Sequence, residues 1–433
     1  MIAEFKIKNF YSIRTEQTIS FEPTSDKHRE YEYCVEVKEG VKLLKFGAIY
    51  GANASGKSNI LDAISFFNEI MTKIPKDKTT PIDFKPFLLD ENSRTENTGM
   101  TMVFYLNKER YQLSVELNEK LILNEELKYY PSKQPAILYT RSYDKETDST
   151  KIEFGGKLGL NKANQITISG NTINNSTVLA AFSISNIEAS RLNLVYEFFT
   201  KQNDILRPNQ ILSSFTKRHL DIDKDNSLKS FLINFLKASD FNICDLELKE
   251  NETIIDTELE KLIQSSPLPE ESKKKMIERG KITNTELLFK HQTSNGVYEL
   301  PEGVESRGTI RFMGMAVILK QLLKEKRVIC IDEIETSLHY ELLSYFIKVF
   351  LTNSTETSQL LVTTHDLNLL NEDYIRRDTV WFTDKNEVGE TELKRLSNLG
   401  LHKNLSPYNA YKQNKLVDLP FVGSIYLNDI VCE

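Results

Sequence analysis

Gly51-Ala52-Asn53-Ala54-Ser55-Gly56-Lys57-Ser58 is a complete GxxxxGKS phosphate-binding loop. It follows an apolar run (Leu43, Leu44, Phe46, Ala48, Ile49) that reads as a buried strand. Asn59 to Lys73 then carries Ile60, Ile64, Phe67 and Met71 at helical spacing. A strand–loop–helix unit of this kind binds a nucleoside triphosphate. Its glycines let successive backbone N–H groups converge on phosphate oxygens, Lys57 reaches the β- and γ-phosphates, and the Ser58 hydroxyl ligates Mg2+. The helix that follows turns its positive end to the same anion. Gly51, Asn53, Ala54, Ser55, Gly56, Lys57, Ser58 and Asn59 are therefore the expected ATP contacts.

The 433 residues suffice for about two to three domains, or one large domain with an insertion. Hydrophobic residues make up 40% and charged residues 27%, an ordinary globular mixture, and no run of about 18 uncharged apolar residues suggests a membrane span. The start, Met1-Ile2-Ala3-Glu4-Phe5-Lys6, lacks the pattern of a secretory signal. Cys34, Cys244, Cys330 and Cys432 form no CxxC pair or disulfide framework. Both features make a cytoplasmic location the expectation. A net charge of −7 confines any nucleic-acid site to a local basic patch.

Near the N-terminus Phe5 and Ile7 alternate with lysines, and Ile19 and Phe21 follow a polar turn. Further strands are expected at 102–106, 111–117 and 121–128, giving a mixed lobe with antiparallel strands. Helix-compatible segments at 179–199 and 228–236, with the Pro267-Leu268-Pro269 break, mark a mainly helical insertion. Beyond Gly303 an α/β succession returns: helix 312–323, strand 328–331, helix 338–351, strands 360–364 and 380–382. The expected domains are 1–170, the first part of an ATPase domain; 171–295, the insertion; and 296–433, the remainder.

Val328-Ile329-Cys330-Ile331-Asp332-Glu333 supplies the second half of the site. Four apolar residues make a buried strand that delivers two carboxylates at its C-terminal end, where ligands of parallel sheets bind. Asp332 is expected to hold magnesium and Glu333 to act as general base toward the attacking water. Leu360-Leu361-Val362-Thr363-Thr364-His365-Asp366 repeats the design, with His365 placed to meet the γ-phosphate.

This ordered set resembles the ATP-binding-cassette ATPases, specifically their OLD-like, SMC-like branch as found in prokaryotic anti-phage and abortive-infection systems. The resemblance implies an α/β P-loop fold with a mixed antiparallel N-terminal lobe, a parallel-sheet core and a mainly helical insertion. It makes Lys57, Glu333 and His365 catalytic, with ATP and Mg2+ as cofactors. Ser306-Arg307-Gly308-Thr309 stands where such ATPases typically read Leu-Ser-Gly-Gly-Gln. Glu335-Thr336-Ser337-Leu338-His339 looks like their D-loop, and 378–385 with 408–420 like the tail of stand-alone OLD-like proteins. ATP is then expected between two subunits, Ser306 and Gly308 acting on the partner's nucleotide, in a homodimer or a higher oligomer. No Q-loop glutamine can be placed.

Asp221-Ile222-Asp223-Lys224-Asp225 begins like a calcium loop, but Asn226 and Leu232 stand where an EF-hand needs Gly and Glu. Lys273, Lys274, Lys275, Arg279, Lys281 and Lys290 form a basic run, either a solvated face or a contact to nucleic acid. With neither a second catalytic site nor a membrane segment, the favoured function is an ATPase switch controlling a separate effector, a nuclease or toxin. The alternatives are a DNA repair or recombination ATPase that clamps DNA, and a nucleotide-binding transporter subunit.

Overall fold

The computed structural model describes residues 1–201, 203–207, 212–267, 269–355, 357–402 and 405–417. Leu268, Pro420 and Cys432 lie outside the described residues. The chain divides into two compact units, Met1–Pro208 with Gln321–Thr336 and Ile347–Glu433, and Asn209–Lys320 with Ser337–Phe346.

The first unit contains two large sheets. In one, seven antiparallel strands run in the order Ser149–Phe154, Ala136–Asp144, Ile122–Tyr130, Glu109–Leu117, Thr98–Leu106, Ile2–Lys8 and Gln17–Ser20. In the other, Asn203–Leu206, Val328–Ile331, Gln359–Thr363, Phe46–Gly51 and Val380–Lys385 are parallel, and Thr391–Arg395 closes the edge antiparallel. Every residue of the three central strands is buried, so they read as unbroken apolar runs rather than alternating ones. The run from Leu43 to Ile49 is two strands, not one. Val41–Leu44 pairs antiparallel with Cys34–Lys38, and Phe46–Gly51 enters the parallel sheet.

Aromatic rings hold the helical layer on the seven-stranded sheet. Phe67 of the helix Lys57–Thr72 meets Phe5 at 5.5 Å and Phe199 at 5.7 Å, and Phe198 stacks on Phe104 at 4.8 Å. The helix expected over 179–199 is two helices, Val178–Ser183 and Ser190–Lys201.

A single buried amide links the N-terminal strand to the parallel sheet. The fully buried Gln359 accepts from the Ile2 N–H at 2.6 Å and donates to the carbonyls of Ile2 at 2.8 Å and Leu44 at 3.1 Å. Gln359→Leu leaves those backbone groups unpaired in the core, and is expected to destabilise the protein by about 2–4 kcal/mol in urea unfolding. A change under about 0.5 kcal/mol would contradict this role.

The second unit starts at Asn209 rather than 171, and it runs on to Lys320 rather than 295. Residues 171–208 fall in the first unit because their helices carry the phenylalanines that pack on its sheet. Helices outweigh strands in 171–295, but Ile243–Ile254, Lys281–Thr293 and Gly296–Pro301 form a three-stranded antiparallel sheet. Much of this sheet is exposed, and ion pairs such as Lys281–Glu252 and Lys290–Glu247 cross it. Such strands lack apolar alternation. Inside this unit Phe235 stacks on Phe312 at 4.9 Å and on Tyr345 at 5.2 Å. Gly314 admits Leu212 so closely that a Cβ there would lie 2.4 Å from the leucine Cβ.

Candidate nucleotide site

The loop strand leaves the sheet at Gly51 and the helix begins at Lys57. Gly56, at φ 103°, turns the chain between them, and a Cβ there would meet Thr391 Oγ1 at 2.2 Å. Only glycine fits. Asn53 and Ala54 are exposed at the mouth, where a cavity of about 210 Å³ is lined by Gly51, Ala52, Asn53, Thr364 and His365 among others.

Three residues that no local pattern announces brace the loop. Thr383 Oγ1 lies 2.7 Å from Ser55 Oγ, Thr391 Oγ1 donates to the Ser55 carbonyl at 2.9 Å, and Ser12 Oγ meets Thr391 Oγ1 at 2.7 Å. Asn59 joins them, donating to Ser12 Oγ at 2.6 Å. The side chains of Ser55 and Asn59 thus shape the loop from behind. Thr383 and Thr391 come from two strands more than 300 residues along the chain.

Lys57 Nζ donates to the carbonyls of Gly51 at 2.9 Å and Ala52 at 3.0 Å, and lies 3.5 Å from His365 Nδ1. Burial lowers its pKa to about 8, against the pull of Glu335, Glu333 and Asp332. Burial and then the Lys57 charge lower that of His365. The imidazole is therefore neutral at neutral pH, able to donate one hydrogen bond and accept another.

The carboxylates end the adjacent strand. Asp332 Oδ1 accepts from Ser58 Oγ at 3.1 Å and Thr363 Oγ1 at 2.5 Å, while its Oδ2 lies 3.8 Å from Arg207 Nη1. Arg207 also pairs with Asp62 of the loop helix. A hydroxyl and a carboxylate converging in this way suit a hard, oxygen-seeking cation, so Ser58 and Asp332 fit magnesium. Among the described residues no group of three or more His, Cys, Asp or Glu side chains is placed to hold a metal. Glu333 follows in a left-handed turn, φ 46°, with its N–H on Thr363 Oγ1 at 2.8 Å. Glu335 reaches the next strand, its Oε1 accepting from the His365 N–H at 2.6 Å.

Ser306 and Gly308 belong to the second unit. Ser306 Oγ accepts from the Thr309 N–H at 3.0 Å and so caps the helix Arg307–Lys324. A Cβ on Gly308 would stand 3.0 Å from the Ser337 carbonyl. Much of the basic run is neutralised within this unit: Lys273 pairs with Glu270, Lys275 with Glu271, Lys281 with Glu252, and Lys290 with Glu247 and Glu299. Asp223 accepts from the Lys229 N–H at 2.9 Å, an ordinary turn rather than a calcium loop. Among the described residues no helix is long and apolar enough to cross a membrane.

Solved structures similar to the chain include two SMC head domains. One is titled "SMC head domain from Thermotoga maritima", with 14% identity over 91% of this chain and 98% of that one and a TM-score of 0.43. The other is "Crystal structure of the SmcHead bound to the C-winged helix domain of ScpA", with 15% identity over 95% and 99% and a TM-score of 0.41. None of the curated proteins matches the chain. A family model described as "AAA domain, putative AbiEii toxin, Type IV TA system" matches residues 46–371, well over half of the chain. Its span takes in the phosphate loop, the carboxylate strand and His365, and the chain belongs to that family of AAA ATPase domains.

Proposed function

We propose that the protein is an ATP-hydrolysing switch that works as a dimer and controls a separate effector, a nuclease or toxin, in anti-phage defence. The observation that carries the reading is the convergence of Lys57, Ser58, Asp332, Glu333 and His365 on one loop mouth. Lys57 would exchange its two carbonyl partners for phosphate oxygens. Ser58 and Asp332 would hold magnesium, which would supply charge neutralisation for the phosphate chain. Glu333 takes a proton from the attacking water, and the His365 imidazole contacts the γ-phosphate.

The capped helix start at Ser306 and Gly308 offers a hydroxyl and backbone N–H groups, the right chemistry for the γ-phosphate of a partner subunit's nucleotide. The γ-phosphate then favours a closed dimer, and its hydrolysis releases it. The family is described as one of a type IV toxin–antitoxin system, which supports a defence setting. The ion-paired basic run weighs against a DNA clamp. The test is to isolate the protein from its native host with and without ATP: a stable complex with a nuclease or toxin supports the reading. Strict isolation, or ATPase activity raised severalfold by DNA ends, contradicts it.

The depressed Lys57 pKa gives a pH dependence. A triphosphate favours the protonated ammonium, so above pH 8 binding must bring in a proton, and affinity falls as pH rises. The Kd for ATP is expected to be about tenfold weaker at pH 9 than at pH 7.5. Equal affinity at the two values, measured by calorimetry, would rule out this linkage.

A further inference from the structure

The ends of the carboxylate strand and the histidine strand are laced together by four hydrogen bonds, three of them made by one residue. Thr363 is fully buried at the end of the strand Gln359–Thr363. Its Oγ1 donates to Asp332 Oδ1 at 2.5 Å and accepts from the Glu333 N–H at 2.8 Å, and its carbonyl accepts from the Ile334 N–H at 3.1 Å. The fourth bond joins Glu335 Oε1 to the His365 N–H at 2.6 Å. A hydroxyl has a single proton. Since the backbone N–H of Glu333 can only donate, that proton goes to the carboxylate, and the threonine fixes Asp332 and Glu333 at once.

Glu333 needs such a hold. Its φ of 46° lies in the left-handed region that residues with a Cβ adopt only when their surroundings impose it. The turn aims the general base, so whatever secures the turn sets where the base points. We propose that Thr363 is a positioning residue for hydrolysis, its hydroxyl holding the Glu333 turn and the Asp332 carboxylate in their working orientation. This rests on the hydrolytic reading above and extends it to a residue that does not touch the nucleotide. Through Thr363 and Glu335 the carboxylate pair and the backbone of His365 form one assembly.

Thr363→Val removes both hydroxyl bonds and keeps the branched shape. Its turnover is expected to fall about 30-fold or more while the Kd for ATP stays within about threefold of the parent, a split that loss of folding would not produce. Thr363→Ser restores the hydroxyl and is expected to recover turnover to within about threefold. In a Glu333→Gln background, Thr363→Val is expected to cost clearly less than it does in the parent, because the part of its effect that runs through the Glu333 side chain is already lost. Circular dichroism checks folding, and Thr363→Ala carries the same comparison if the valine variant does not fold. A valine variant that turns over like the parent, a serine variant that stays impaired, or a loss in the Glu333→Gln background as large as that in the parent would overturn the proposal. A parent protein that binds ATP but never hydrolyses it would instead remove the hydrolytic reading itself.

Discussion

Glu333→Gln is expected to bind ATP as the parent does and to hydrolyse it at least about 100-fold more slowly, the range set by removal of a general base. The substitution is nearly isosteric. The Glu333 hydrogen bond to Thr363 is made by the backbone N–H, so the turn survives while the side chain loses its ability to take a proton from water. Asp332 and Ser58, which fit the cation, keep their mutual bond of 3.1 Å. Single-turnover hydrolysis with ATP in excess of Kd separates the chemical step from binding. Turnover within about threefold of the parent would move the base elsewhere. Glu335 is then the next carboxylate to test, because its charge acts on both Lys57 and His365.

Lys57→Ala is expected to weaken ATP binding by about 100-fold or more, roughly 3 kcal/mol. The ammonium is hydrogen-bonded to the loop's own carbonyls, at Gly51 and Ala52. Without it, the triphosphate keeps the backbone N–H groups and the cation held by Ser58 and Asp332 but loses the ammonium charge. Folding is expected to survive: burial disfavours the charged form of Lys57, as its pKa of about 8 shows, so its removal also relieves a desolvation cost. The loop keeps its braces from Thr383 and Thr391. Thermal melting with and without ATP reads both effects, since a ligand that binds only the folded state raises the midpoint. A variant melting near the parent temperature with no ATP-induced rise is the expected result. An undiminished rise would show that Lys57 does not hold the nucleotide.

Much of this site was legible in the sequence because its parts lie on fully buried parallel strands. Phe46–Gly51, Val328–Ile331 and Gln359–Thr363 are continuous apolar runs that end in polar chemistry, and such runs need no partner to be recognised. The supporting residues were not legible. Ser12, Thr363, Thr383 and Thr391 are ordinary hydroxyl residues whose roles come from sheet order, which places distant strands beside the loop. The strand Asn203–Leu206 next to the carboxylate strand opens on Asn-Asp, so it shows no continuous apolar run. It brings Arg207 to Asp332 and Asp62, although no pattern marked that arginine. The exposed sheet of the second unit escaped for the opposite reason: cross-strand pairing and surface charges hold it, with little burial to impose alternation.

In the proposed function the loop is half of a composite site completed by Ser306 and Gly308 of a second copy. Its most direct test is the solution mass of the Glu333→Gln protein, by sedimentation or light scattering, in Mg-ATP and without nucleotide. In Mg-ATP the mass is expected to be twice that of the 49.9 kDa chain, and Ser306→Arg in the same background is expected to return it to the single-chain value. A Glu333→Gln protein that binds ATP yet keeps one and the same mass with and without it would contradict the claim.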